Sequence, residues 1–548
     1  MDDGDSSLGI IVCKSLKKCS EDISDINNKE QEMPISDRHI SYNNGLINLK
    51  DFPRGDLIKK EGNVEFYKVP EDIEVLTVWN NKVKWLKPES YSVHKNLKML
   101  SVRTNKGNTI EVSDEHSLIT LDENLDFKRS NPIVGMIMPK LKDYYSRYVK
   151  PKDFKYEICY DYTRFNLNFD FGYLLGVMIG DGWVNHTSKK TGKLYEPNAI
   201  MLATIWDDMA NKVTTILQSY GYKGNMYSIT NDHVFDNKVY THSKKTWYFK
   251  PLANLLREQI GRGALNKHLP YFWSQTSERF RMGLLSGLID TDGTVCMVKN
   301  KVIIQYSTCS QRLAYEIIAL SNTLGLTAAM SVVKRKHGPI EHTIRFNNTS
   351  LVKMKDMLVL LNSKKKDILD QMDISQPLRI KDFTPTLPID RIKELKDYLI
   401  TFRDTVNISR CYDVLNRSSS DVGGSFTKDF ILDIINLYPD FFKDGFWNKY
   451  KNMVLDDNIE WEMITKIEEI PEITEAYDIT VKPYPTFVLH NGIVVYDTAS
   501  FIPTYTKEAK EEIDTVIGSK SFYLTPDGEI TYSIKSDPLT YVLGHLSR

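Results

Sequence analysis

Residues Leu285–Gly293 read LSGLIDTDG, and a related stretch, Leu174–Gly182, reads LLGVMIGDG. Each is an apolar run with glycine in its third position, closed by an acid and a glycine. Glycine and serine let two helix backbones approach closely. Helices packed through such faces bring their C-terminal ends together. Asp181 and Asp292 hold the same next-to-last place in the two copies. Two carboxylates at one spot repel unless a divalent cation sits between them. Hard oxygen ligands that leave room for water and a phosphate suit Mg²⁺, so the two acids are the candidate metal ligands.

The sequence after each stretch repeats as well. Behind Gly293 come strand-like runs Thr294–Val298 and Val302–Thr308 and a helix over Gln311–Leu324. Strands Thr327–Val333 and His342–Phe346 follow. Behind Gly182 come strand Ala199–Thr204, helix Asp207–Tyr220, strands Gly224–Ile229 and Lys238–Phe249, and a helix from Pro251. The predicted order is αββαββα, twice. Together the motifs and their order resemble the LAGLIDADG homing endonucleases. That resemblance implies a nuclease whose two curved sheets lie in the major groove of double-stranded DNA, a groove wide enough for a two-stranded ribbon. It also implies a lysine from each half near the scissile phosphates. On strand position these are Lys245 or Lys244 in the first half and Lys334 or Lys336 in the second.

The totals permit this but do not announce it. A chain of 548 residues implies two to four domains. Charged residues make up 26% and hydrophobic residues 41%, as in globular proteins, and the net charge is −1. A nucleic-acid surface must therefore be local. Residues 301–350 supply one, with Lys301, Arg312, Lys334, Arg335, Lys336 and Arg345 against Glu316 and Glu341. Lys301, Arg335, Lys336 and Arg345 are the candidate DNA contacts. The six cysteines form no CxxC pair, which argues against a zinc site or disulfide framework and for an intracellular setting. No apolar run is long enough to span a membrane.

Residues 33–150 change to short alternating apolar runs with turns, such as Ile73–Trp79 and Leu97–Thr104, the pattern of an all-β unit. The run IEVSDEHSLIT (Ile110–Thr120) places Ser113 three residues before His116. At the other end, residues 458–497 contain AYDITV (Ala476–Val481) and TFVLHNGIVVYD (Thr486–Asp497). These blocks resemble the two halves of an intein. The implied architecture is multidomain: an all-β Hint horseshoe interrupted by the endonuclease. Its parts are the first Hint half (33–150), the endonuclease (165–365), a helical accessory region (366–455) and the second Hint half (456–497). Residues 1–32 and 498–548 are the flanks, covalent remnants of a host protein, and the chain is expected to be a monomer. The segment from Thr498 to Asp514 is faintly similar to part of the largest RNA polymerase subunit.

By this resemblance His116, after Ser113, polarises the upstream splice bond, and Asp478 assists both splicing steps. Asp497 stands in the place of the cyclising asparagine, Tyr496 in that of the penultimate histidine, and Thr498 is the downstream nucleophile. The family's first residue falls on Met33 or Pro34, neither of which carries a nucleophile. Splicing is therefore expected to be slow or lost. Two alternatives stay open, a splicing element with an inert nuclease and a DNA-binding protein that keeps only the scaffold.

Overall fold

The structure is a computed structural model. It describes residues 39–497 except for stretches 43–44, 96–97, 115–117, 185–196, 236–237, 334–338, 373–380, 403–407, 421–422 and 471–474 and residues 300 and 418, together with three short strands between 521 and 539. It is a mixed α/β, multidomain molecule.

The two β-rich stretches, more than 300 residues apart in sequence, build common sheets. Strand Ile459–Ile470 pairs with Ile137–Leu141 on one side and with Met99–Thr104 on the other. Strand Glu475–Val481 lies antiparallel to Pro88–Lys95, and Val494–Tyr496 meets Leu118–Leu121. Their common core mixes both stretches, with Ile40, Tyr91, Val93, Val112 and Leu118 against Ile479, Phe487 and Val495. Neither stretch could bury its apolar alternation alone.

Between them in sequence lies the α/β region. Helix α1 (Phe169–Gly180) leads into β1 (Gly182–Val184), β2 (Ile200–Ala203), α2 (Asp207–Ser219), β3 (Tyr227–Phe235), β4 (Lys238–Trp247) and α3 (Lys250–Gln259). Helix α4 (Glu278–Asp290) leads into β5 (Gly293–Val298), β6 (Lys301–Thr308), α5 (Gln311–Thr323), β7 (Ala328–Val333), β8 (Glu341–Phe346) and α6 (Asn348–Met357), then α7 (Ser363–Asp370). The strand orders are β1-β2-β4-β3 and β5-β6-β8-β7. Strand β1 was missing from the sequence reading; three residues are too few to show an alternation. Helices Ile389–Ile400, Ile408–Arg417, Lys428–Leu437 and Gly445–Leu455 follow in the expected helical stretch.

Polar contacts fasten the α/β region to the β-rich body. The Tyr315 hydroxyl on α5 donates to Glu111 at 2.9 Å, and the Asn347 side chain donates to the Lys106 carbonyl at 2.8 Å. Asn322, also on α5, lies 2.8 Å from Nδ1 of His490.

Candidate active site

Helices α1 and α4 are capped alike at their N-termini: the Asn168 side chain accepts from the Phe171 N–H and that of Ser277 from the Phe280 N–H. They then run side by side at backbone contact. A Cβ on Gly176 would lie 2.3 Å from the Leu284 carbonyl oxygen, and one on Gly287 would lie 2.2 Å from that of Tyr173. The crossing is reciprocal, because each of these hypothetical Cβ atoms would also meet the Cα of the other glycine at 3.0 Å. Only residues without side chains fit there. At the far end Gly180 abuts Thr291.

This crossing delivers Asp181 and Asp292 to one place. Both are partly buried. Burial raises the Asp181 carboxyl to about 7, and the neighbouring negative charge of Asp292 adds to the shift; Lys267 and Lys365 oppose it. The Tyr306 hydroxyl points at Oδ2 of Asp292 from 3.5 Å, at the edge of hydrogen-bond range. Burial, with the charges of Asp292 and then Asp181, pushes the Tyr306 hydroxyl well above its ordinary range, so it stays protonated.

Sequence reading did not find the two lysines beside the pair. Lys267 donates to the Gly180 carbonyl at the end of α1. Lys365 donates to the carbonyls of Ile289, Asp290 and Thr291 at 3.1, 3.1 and 2.7 Å, at the end of α4. A cation at a helix C-terminus satisfies orphan carbonyls and complements the helix dipole. The two lysines come after α3 and after α6, the corresponding helices of the two halves. A third acid, Asp290, is buried and turned away from the pair. It accepts from the Tyr173 hydroxyl at 2.6 Å and from the Leu361 and Asn362 N–H groups at 2.8 and 2.9 Å. Among the described residues no third His, Cys, Asp or Glu joins Asp181 and Asp292 into a metal cluster.

The lysines expected from strand position are placed otherwise. Lys245 is buried on the core side of β4 and held by Asp207 at 3.0 Å, because strand alternation turns it inward and Lys244 outward. Lys334, Arg335 and Lys336 lie outside the described residues, as do His116 and Thr498. Lys301 opens β6 and Arg345 sits on β8; both are exposed.

In the β-rich body Ser113 is buried at the end of its strand, opposite Met99. Asp478 is buried opposite Ser92, whose Oγ lies 3.0 Å from Nε2 of His94. Burial lowers the pKa of His94, and the charge of Asp478 works against that. Asp497 is fully buried; its Oδ2 accepts from the Val481 N–H at 3.0 Å, and its own N–H donates to the Pro485 carbonyl at 2.9 Å.

A sequence model of the LAGLIDADG-like domain matches residues 279–358. The chain is 21% identical over 492 residues to the DNA-directed RNA polymerase subunit Rpo1C of Methanocaldococcus jannaschii, covering 84% of this chain and 53% of that protein. It is 26% identical over 311 residues to the replication factor C small subunit of the same organism, covering 52% and 16%. It thus spans about half or less of these relatives. A structure of mesophilic variants of the homing endonuclease I-DmoI matches 37% of this chain and 100% of its own at 14% identity, with a TM-score of 0.26. A mini-intein of transcription factor IIB matches 20% and 70% at 18% identity, with a TM-score of 0.18. No helix among the described residues is long and apolar enough to cross a membrane. The chain carries a LAGLIDADG-like domain, and the solved structures similar to it include a homing endonuclease and inteins.

Proposed function

We propose that the chain is an intein-type homing endonuclease that makes double-strand breaks in DNA with Mg²⁺ held by Asp181 and Asp292. The observation that carries this is the pair itself. Two carboxylates are driven together by a glycine crossing, and burial, with the charge of Asp292, raises one of them to about 7 despite Lys267 and Lys365. Two hard oxygen donors, with other positions left to water and phosphate, fit Mg²⁺. Bound there, the ion would supply an activated water and stabilise the leaving oxygen of a phosphodiester.

The protein's own part is positioning. Gly176 and Gly287 set the helix spacing, and Lys267 and Lys365 fix the two helix ends that carry the acids. These two lysines replace Lys245 as our candidates for the cation from each half. DNA would lie across the open faces of both sheets, which start at Gly182 and Gly293, directly after the two acids.

The same reading gives the chain two αββαββα pseudo-repeats within a Hint horseshoe. The horseshoe is built from 33–150 and 456–497, with 366–455 as a helical accessory and host-protein flanks on either side. In it Ser113, His116, Asp478, Asp497 and Thr498 keep the places of splicing residues, in a monomeric intracellular protein, but without an upstream nucleophile. The cleavage test is incubation of the folded chain with Mg²⁺ and duplex fragments of an RNA polymerase subunit gene that lacks this segment. One discrete double-strand cut is expected. Intact fragments throughout would overturn the endonuclease reading.

A further inference from the structure

The two sheets offer DNA different chemistry on their open faces. On the first, the cross-strand row Trp183, Met201, Thr246, Tyr227 and the row Ala203, Lys244, Ile229 point away from the core. Tyr227, Ile229 and Tyr248 are each more than half exposed, and Tyr227 and Tyr248 meet edge to face with centroids 5.7 Å apart. They line a depression of about 460 Å³ floored by Ala199 and Met201. Lys244 is the cation there, 5.9 Å from the Trp183 ring. On the second sheet the equivalent rows are Thr294, Gln305, Arg345, Ala329 and Ser307, Thr343, Ser331. Next to the acidic pair that face is hydroxyl, amide and guanidinium around Ala329; its apolar groups, Cys296, Ile303, Val298 and Val333, lie farther along the strands.

Large apolar groups on an open sheet face cost solvation unless something covers them. Here the cover follows from position. Both sheets begin one residue after the acidic pair, so a duplex held at the pair runs over both. In the major groove the thymine methyl is the apolar feature that aliphatic and aromatic side chains contact. Arginine and glutamine instead pair with guanine and adenine edges.

Resting on the endonuclease reading, we infer that the two half-sites are read by unlike means. The half under the first sheet is read through thymine methyls seated on Tyr227, Ile229 and Tyr248. The half under the second is read through purine edges bonded by Arg345 and Gln305.

Selection of a randomised duplex library by the full chain in Ca²⁺ tests this. The half-site whose preference changes in Arg345→Gln is assigned to the second sheet, with about a tenfold loss at one guanine expected. Thymines are then replaced by uracil in one half at a time. Affinity should fall about fourfold per methyl removed under Tyr227, Ile229 and Tyr248, the worth of one buried methylene-sized group, and change little at the equivalent base pairs of the other half, under Thr294, Gln305 and Arg345. Ile229→Ser, at an exposed position, should abolish the uracil effect at one base pair. Equal uracil sensitivity in both halves, or none in either, overturns the inference and leaves the endonuclease reading standing. Failure to enrich any duplex overturns both.

Discussion

Helices α1 and α4 share a crossing and an acid just past their ends, but they differ two residues before that acid. Where α4 has Asp290, α1 has Ile179. Asp290 ties the Leu361–Asn362 backbone to α4, and three residues further on Lys365 reaches three carbonyls at the end of that helix. The first half has no such tie, and Lys267 reaches one carbonyl. The comparison separates two kinds of acid within LSGLIDTDG. Asp292 has a partner in the other half and faces it. Asp290 has no acid opposite it and is spent on the Tyr173 hydroxyl and two backbone N–H groups. One acid is placed for chemistry and the other for architecture, although they stand two residues apart.

The sharpest test of that division is substitution at all three acids. Asp181→Asn or Asp292→Asn should lower the cutting rate by more than the roughly 100-fold that loss of a supporting partner costs at a metal site. DNA affinity should stay within a few-fold, because it rests on phosphate and base contacts. Asp290→Asn should instead cost about 2 kcal/mol of stability, the value of hydrogen bonds to a buried charged group, while cutting per folded molecule persists. Plasmid cleavage read beside thermal unfolding checks both. If Asp290→Asn lost cleavage with unchanged melting, the division would be wrong.

This site shows how far sequence alone reaches. The glycine–acid pattern was legible because contact between helices writes itself at fixed spacing in each. The β-rich stretches were legible as strands for the same reason, local alternation. Lys267 and Lys365 were not: they hold corresponding places after α3 and α6, but no local pattern marks a lysine there, and only tertiary packing brings each to a helix end. Lys245 was misread because two adjacent lysines on β4 offer no sign of which faces the core. Burial and Asp207 decide that. The role of Asp290 depends on Tyr173 and on a backbone turn about 70 residues away, neither marked by local pattern.

The crossing should tolerate little. Gly287→Ala or Gly176→Ala puts a methyl within 2.4 Å of a carbonyl oxygen of the facing helix. Separation of the helices should destabilise the protein by about 1–3 kcal/mol, as overpacking does, and also slow cutting by misplacing the acids. Gly62→Ala, whose Cβ would meet nothing within 4 Å, is a control for methyl volume but sits at φ +56°, so Gly55→Ala, at 3.5 Å from its nearest neighbour, is the cleaner one. Denaturant melts of the three variants rank them.

A smaller effect follows from the charge of the pair. In the unfolded chain Asp181 titrates near 3.8, and in the folded protein near 7. The folded state therefore holds the extra proton between those values. This contribution to stability is fully present below about pH 4 and is lost as pH rises to about 7. A divalent cation should reverse the loss. The rise in melting temperature with Mg²⁺ should thus be larger at pH 8 than at pH 5, and Asp181→Asn should flatten the difference. An equal Mg²⁺ response at both values would place the ion elsewhere.

The smallest expected change concerns Asp497, a buried acid of the β-rich body. Asp497 is fully buried, its Oδ2 accepting from the Val481 N–H and its own N–H donating to the Pro485 carbonyl; on the proposed reading it stands in the cyclising residue's place. What it lacks is a side-chain amide nitrogen to attack its own carbonyl. Asp497→Asn supplies that nitrogen, and the Asn Oδ1 can keep the Val481 hydrogen bond, so the local fold should survive. Release of the downstream segment still needs an acid to protonate the leaving nitrogen, and a phenol, the group at position 496, is a weaker proton donor near neutral pH than an imidazolium. The unsubstituted chain is therefore expected to persist at its full 548 residues, and Asp497→Asn to release the segment after residue 497 slowly. Adding Tyr496→His should release it faster than either change alone, since groups that act as a unit do not add. Mass spectrometry of freshly expressed protein reads all three. Efficient release from the unsubstituted chain would mean that the carboxylate itself suffices, and that the missing amide is no obstacle.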